Sequence, residues 1–276
     1  MKISNAFGDI IKNLQKKKPI IHHITNYVTA ESCADIALAA GASPIMADAP
    51  EEAAAVAAKA DALVLNLGTF NLGRKNAMEL AAASASKKGI PVILDPVGVM
   101  TSNMRLTFAL ALLNQGNIAI VRGNLSECKA LLSESTGEGK GVDSLDTEDN
   151  AAESLKTAQE AAQKFKCVFA VTGKTDNISN GKQALVLNTG HPLLKSITGS
   201  GCMTSTLVAC CASVSSDMLT AAALGTIIMG QSAELAANLL DKKDGPGTFK
   251  ARLIDCVYHV TSKWELVHLQ TEKKIS

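Results

Sequence analysis

Two hydrophobic rhythms alternate along this chain. Short, nearly continuous apolar runs of four to seven residues are separated by longer stretches in which small and apolar residues recur at helical spacing. The short runs predict strands at 19–25, 43–46, 62–67, 91–96, 118–121 and 167–171. The intervening stretches predict helices at 4–15, 29–40, 50–59, 71–88, 103–114, 124–132 and 151–165. Gly41 and Gly89 stand at helix ends, and Pro50 opens a helix whose first turn carries Glu51 and Glu52. Asn180-Gly181 is a hairpin signal between 176–178 and 183–188, so an antiparallel pair follows the parallel set. Two or three long helices, at 203–215, 220–239 and 248–268, end the pattern. Strands alternating with helices imply βαβ units and an α/β fold, a mostly parallel sheet covered on both faces. The polar, Gly-rich stretch 133–150 is the one candidate boundary. The pattern resumes after it, so one domain over residues 1–276 is expected.

Composition narrows the function classes. With 27 Lys+Arg against 26 Asp+Glu the net charge is +1, and aromatic residues make up 3%. Neither a basic field nor stacking platforms for nucleic acid are present. The seven cysteines are odd in number and form no CxxC, which argues against a disulfide framework or a zinc knuckle and for a reducing cytosol. The first residues do not have the make-up of a signal peptide. The most apolar long stretch, 218–240, contains Gln231, Glu234 and Asn238, so it reads as a buried helix rather than a membrane span.

Polar residues gather where the strands are predicted to end, which is where open α/β sheets bind ligands. They are Asn26, Met46 with Asp48, Gly68-Thr69, Asp95, Arg122-Gly123-Asn124 with Glu127, and Thr172-Gly173. The turn Gly199-Ser200-Gly201-Cys202 completes the row and leads into a helix. Glycines let backbone amides face a ligand, and a helix N-terminus adds unpaired N–H groups and a positive dipole end. Such a turn suits an anion and would lower the pKa of Cys202; the same sequence also suits an ordinary turn before a buried helix. Asp95 and Glu127 suit Mg²⁺ held partly through water, or alternatively a strand-end cap and a capping-box partner of Asn124. Arg122 suits nucleotide phosphate or a surface ion pair. His22 and His23 point to opposite faces of a strand and read as hydrogen-bonded core residues; Cys210 and Cys211 read as helix packing.

Six motifs occur in order: His23-Ile24-Thr25-Asn26; Gly41-Ala42-Ser43-Pro44-Ile45-Met46-Ala47; Leu94-Asp95-Pro96-Val97-Gly98; Val121-Arg122-Gly123-Asn124 with Ser126-Glu127; Val171-Thr172-Gly173; and Gly199-Ser200-Gly201-Cys202. Together they closely resemble the hydroxyethylthiazole kinase family, from about residue 19 to the C-terminal helices. The resemblance implies a ribokinase-like three-layer α/β/α fold and ATP-dependent phosphorylation of the primary alcohol of 4-methyl-5-(2-hydroxyethyl)thiazole, a salvage step toward thiamine. It further implies that Met46, Asn26, Gly68 and Gly199 contact the thiazole and that Arg122, Thr172 and Asn124 bind ATP. Asp95 and Glu127 would serve Mg²⁺, and Gly199, Ser200, Gly201 and Cys202 would form the catalytic anion hole. Related sugar kinases carry an aspartate base where this family has Cys202. A cytoplasmic homotrimer with pockets at subunit interfaces is also implied.

The chain departs from the family pattern at three places. Ser200 replaces a more usual threonine, Lys174 stands where an acid is common, and Val99-Met100-Thr101 replaces a more Gly/Ala-rich segment. The rival readings are a kinase for another small hydroxymethyl compound such as a vitamin pyrimidine, a ribokinase-like nucleotide-dependent dehydratase, and a non-catalytic thiazole or nucleotide sensor.

Overall fold

The computed structural model describes residues 3–136 and 151–262. Its strands are β1 (Ile20–Ile24), β2 (Ser43–Met46), β3 (Ala62–Asn66), β4 (Val92–Asp95), β5 (Ile120–Asn124), β6 (Val168–Thr172), β7 (Asp176–Ser179) and β8 (Ala184–Leu187). They form one sheet in the order β2-β1-β3-β4-β5-β6-β7-β8. Pairing is parallel from β2 to β6 and antiparallel in β6-β7 and β7-β8. The helices are α1 (Ile3–Lys17), α2 (Ala30–Ala39), α3 (Pro50–Ala57), α4 (Leu72–Lys88), α5 (Asn103–Asn114), α6 (Leu125–Ser133), α7 (Ala151–Phe165), α8 (Ser200–Ala212), α9 (Met218–Asn238) and α10 (Pro246–Ser262).

The period-two geometry of the strands divides the core into two layers. In β3, Ala62 and Val64 join the cluster under α1, α2 and α8 to α10. Leu63 and Leu65 of the same strand join the cluster under α3 to α7. A strand buried on both faces needs an unbroken apolar run, and β3 has one. Strand β2 is the edge, where Pro44 removes no needed ladder bond and Ile45 and Met46 remain partly exposed. Helix α9 lies between α8 and α10 and is buried over most of its length, so its apolar composition reflects packing. Among the described residues no helix is long and apolar enough to cross a membrane.

The sequence-based boundaries hold to within a few residues, with informative exceptions. Strand β5 was expected to end at Val121 but runs to Asn124, because Arg122, Gly123 and Asn124 pair with Ala170, Val171 and Thr172 of β6. Helix α8 starts at Ser200 rather than Met203, since Gly199 in a left-handed conformation serves as its N-cap. Short 3₁₀ turns at Val99–Thr101 and Pro192–Ser196 were not foreseen. Of the expected loop 133–150, residues 137–150 lie outside the described residues, as does the end of the last helix beyond Ser262.

Candidate active site

Parallel strands bring their carboxyl ends to one rim, and the polar residues of the sequence meet there. Asn66 ends β3 and Asp95 ends β4, and the register places them side by side. The Asn66 side chain is a four-way junction. Its Nδ2 donates to Asp95 Oδ2 at 2.8 Å and to Cys202 Sγ at 3.3 Å. Its Oδ1 accepts from Asn26 Nδ2 at 3.0 Å and from the Gly68 amide at 2.9 Å. Asn26 Nδ2 also donates to Cys202 Sγ at 3.4 Å, while Asn26 Oδ1 accepts from the Thr29 amide and hydroxyl, each at 3.0 Å. Ser205, one helical turn beyond Cys202, donates to Asp95 Oδ2 at 2.9 Å.

The other side of Asp95 faces a cation. Arg122 Nη1 lies 3.9 Å from Asp95 Oδ1, and Arg122 Nη2 donates to Thr172 Oγ1 at 2.6 Å. The guanidinium is largely buried, so the surface ion pair considered from sequence is not what forms. Among the described residues, Asp95 Oδ1 and Arg122 Nε are buried without a hydrogen-bond partner. Such atoms are rare in folded proteins and mark a place where a further group belongs.

Helix α8 begins directly beside this patch. Gly199 has φ +86°, and a Cβ there would lie 2.6 Å from Thr29 Cγ2, so both backbone and space call for glycine. No side chain caps the helix. The amides of Ser200, Gly201 and Cys202 belong to its first turn, which has no intrahelical acceptor to offer them. A Cβ on Gly201 would collide with the Arg122 guanidinium. Helix dipole, backbone donors and guanidinium therefore converge on one spot, an arrangement suited to phosphate.

Helix α6, at the same rim, is built differently. Asn124 Oδ1 accepts from the Glu127 amide at 2.8 Å, and Glu127 Oε2 accepts from the Asn124 amide at 2.9 Å, a complete capping box. Glu127 Oε1 takes the Gly98 amide at 3.0 Å. Burial, and then the nearby Asp95 charge, raise the pKa of Glu127 to about 7. Asp95 is also raised, chiefly by burial, with Arg122 opposing. Two buried carboxylates near one guanidinium leave room for cationic charge, and an oxygen donor set suits a hard, hydrated cation. Among the described residues no group of three or more His, Cys, Asp or Glu could cage a metal. The residues thus fit Mg²⁺ bound partly through water, with both Glu127 oxygens already shared with backbone amides.

Cys202 corrects an expectation. Its thiol pKa is raised, first by burial and then by the Asp95 charge, although it occupies the first turn of α8. Removal from water beside a carboxylate outweighs the attraction of the helix end. Met46 ends the edge strand, paired in register with His23 and 39% exposed. His22 and His23 have separate partners as expected: His22 Nε2 is 2.7 Å from the Ala47 carbonyl oxygen, and His23 Nε2 is 3.1 Å from Thr206 Oγ1. Sequence reasoning missed Asn66, Ser205 and Asp176. Asn66 is visible in hindsight as the one polar side chain inside an apolar strand run. Asp176 accepts from the Gly173 amide at 3.0 Å, which holds the turn after Thr172, and burial raises its pKa to about 7.

The eight-stranded, mostly parallel sheet covered by helices is an α/β fold shared with solved proteins of low sequence identity. A solved ribokinase-like superfamily protein from Enterococcus faecalis V583 has the same fold, with a TM-score of 0.58 at 14% identity over 90% of this chain and 88% of that one. By sequence, the chain belongs to the hydroxyethylthiazole kinase family, whose profile matches residues 11–263. It is 43% identical to a hydroxyethylthiazole kinase of Alkaliphilus metalliredigens over 92% of each chain. The solved hydroxyethylthiazole kinase of Pyrococcus horikoshii OT3 superposes with a TM-score of 0.83 at 33% identity, over 92% of this chain and 93% of that one.

Proposed function

We propose that the protein, as one domain, transfers the γ-phosphoryl group of ATP to the primary alcohol of 4-methyl-5-(2-hydroxyethyl)thiazole. The observation that carries this reading is the uncapped N-terminus of α8 lying between Arg122 and the Asn26–Asn66–Asp95 network. The alcohol oxygen forms a bond to the γ-phosphorus, the bond to the ADP oxygen breaks, and the hydroxyl proton passes to an oxygen of the transferred phosphoryl group. Such transfer depends on positioning and charge stabilisation more than on a strong base. The amides of Ser200, Gly201 and Cys202 receive the equatorial oxygens, with Gly199 setting the turn. Arg122, Thr172 and the Asn124 strand end bind the polyphosphate. Asp95 and Glu127 would hold Mg²⁺, which when bound offsets phosphate charge.

Asn26, Gly68 and Gly199 line the alcohol's side. The Cys202 sulfur accepts two amide N–H groups, and its raised pKa keeps the thiol protonated at neutral pH. Cys202 therefore positions the acceptor hydroxyl rather than removing its proton. Met46, Tyr27 and Val28, at the ends of neighbouring strands, are exposed apolar residues, which supports a thiazole pocket completed by another subunit; the family resemblance suggests a cytoplasmic homotrimer.

The test is ADP release, measured by a coupled assay, with hydroxyethylthiazole against a panel including hydroxymethylpyrimidine and pyridoxal. Turnover should be largest with the thiazole alcohol. Absence of turnover with it, or a clear preference for a pyrimidine alcohol, sinks the assignment.

A further inference from the structure

We infer that Arg74 is a positioning residue that holds the acceptor side of the rim in shape, an assignment that rests on the kinase reading above. Arg74 lies in the first turn of α4, after the N-cap Asn71. That turn contains no acid and carries Arg74 and Lys75. Positive charge at a helix N-terminus opposes the dipole, so the sequence breaks a local rule here. Such breaks concentrate where a side chain serves the site.

The contacts show what the residue does. Arg74 Nη1 donates to the Thr69 carbonyl at 3.1 Å and also to the Thr69 hydroxyl. Arg74 Nε pairs with Asp48 Oδ2 at 3.0 Å. The guanidinium carbon lies 5.6 Å from the centre of the Tyr27 ring. One side chain, itself 12% exposed, thus ties together the loops after β1, β2 and β3. Thr69 has φ +47°, a left-handed conformation that β-branched residues rarely adopt. Both of its oxygens are held by Arg74, so the guanidinium supports the backbone where it is least favourable.

These three loops also carry or adjoin Asn26, Met46 and Gly68, three of the four residues assigned to the thiazole alcohol. Among the described residues, no Arg74 contact reaches the nucleotide side, where Arg122 and Thr172 pair with each other. The consequence is a specific split. Loosening Arg74 should weaken recognition of the acceptor and leave ATP binding alone. A lysine would keep the charge but lose the planar fork that spans two loops, so it should not rescue.

Two measurements on Arg74→Met and Arg74→Lys test this. In steady-state kinetics the KM for hydroxyethylthiazole should rise about tenfold or more in both variants, with the KM for ATP within about twofold of wild type. In hydrogen exchange, amides at 27–29, 47–49 and 68–70 should exchange faster than in wild type, while those at 122–124 and 172–174 are unchanged. An unchanged acceptor KM, a parallel rise in both KM values, full rescue by lysine, or unchanged exchange in the three loops overturns the proposal. A wild-type enzyme inactive toward hydroxyethylthiazole would defeat the kinase assignment instead, and exchange would still decide whether Arg74 holds the loops.

Discussion

Two helices start at the same rim of the sheet and differ at every position of their first turn. Helix α6 has Asn124 as N-cap and Glu127 at its third position; helix α8 has Gly199 as N-cap and Cys202 at its third. In α6 the two side chains fold back and close the helix end on itself. In α8 the glycine cannot cap, and the Cys202 sulfur turns away toward Asn26 and Asn66. A carboxylate at a helix N-terminus occupies the site that an incoming phosphate would need. The comparison therefore separates a helix end used for stability from one kept available for chemistry. It also explains why the guanidinium of Arg122 leans over Gly201 of α8.

If the open end is where phosphate is transferred, blocking it should have the largest effect. Gly201→Val places a branched side chain where the Arg122 guanidinium now lies. It displaces the cation and obstructs the donors together. We expect kcat/KM to fall by about a thousandfold or more, on the scale of losing an oxyanion donor, with the melting temperature also lowered because Asp95 loses its neighbouring cation. A variant with activity within tenfold of wild type would show that α8 does not receive the phosphoryl group.

A smaller effect is expected at the third position of the open helix. Cys202→Ala removes a hydrogen-bonded acceptor beside the alcohol but leaves the backbone donors. The kcat should fall about tenfold, with little change in the KM for ATP. Because burial and Asp95 raise the thiol pKa, wild-type kcat should show no ionisation near neutrality that is absent from the alanine variant. Cys202→Asp sets a second carboxylate near Asp95 and should be slower still at the same Mg²⁺ concentration and pH. Wild-type rates in both variants would remove Cys202 from the mechanism.

Legibility in the sequence followed chemistry. Asp95, Arg122 and Glu127 were readable because a charge at the end of an apolar run stands out. Strand and helix order was readable because β3 and its neighbours are buried on both faces and must be continuously apolar. The amide network was harder. Asn66 is neutral, lies within a strand, and acquires its role only when the parallel register sets it beside Asp95 and the chain returns with α8 more than a hundred residues later. The direction of the Cys202 pKa was misread for the same reason. Position at a helix end is local, whereas burial against Asp95 is a property of the assembled rim. Met46 was placed on the acceptor side from resemblance alone, and within one chain its edge strand supplies only the lip.

The closed helix gives the smallest effect on catalysis and a distinct signature in stability. Glu127 is raised to about 7 in the folded protein from an ordinary carboxylate value of about 4.5, by burial first and Asp95 second. Between those values the folded state binds more protons at this site than the unfolded state, so stability falls as pH rises through that interval and levels off above it. Glutamine at this position is neutral throughout and retains one carbonyl acceptor for the backbone amides. Below about pH 4.5 wild type and Glu127→Gln should melt at similar temperatures. As the pH rises to 7 and beyond, wild type should lose stability relative to the variant, because only wild type then carries a buried charge beside Asp95. Thermal melts across this range without Mg²⁺ give the difference directly. Parallel curves would mean that the capping amides outweigh desolvation and hold Glu127 ionised throughout. Added Mg²⁺ should narrow the gap at pH 7 by favouring the ionised wild-type carboxylate, an effect the glutamine variant should lack if Glu127 helps hold the ion and should share if it serves only as a cap.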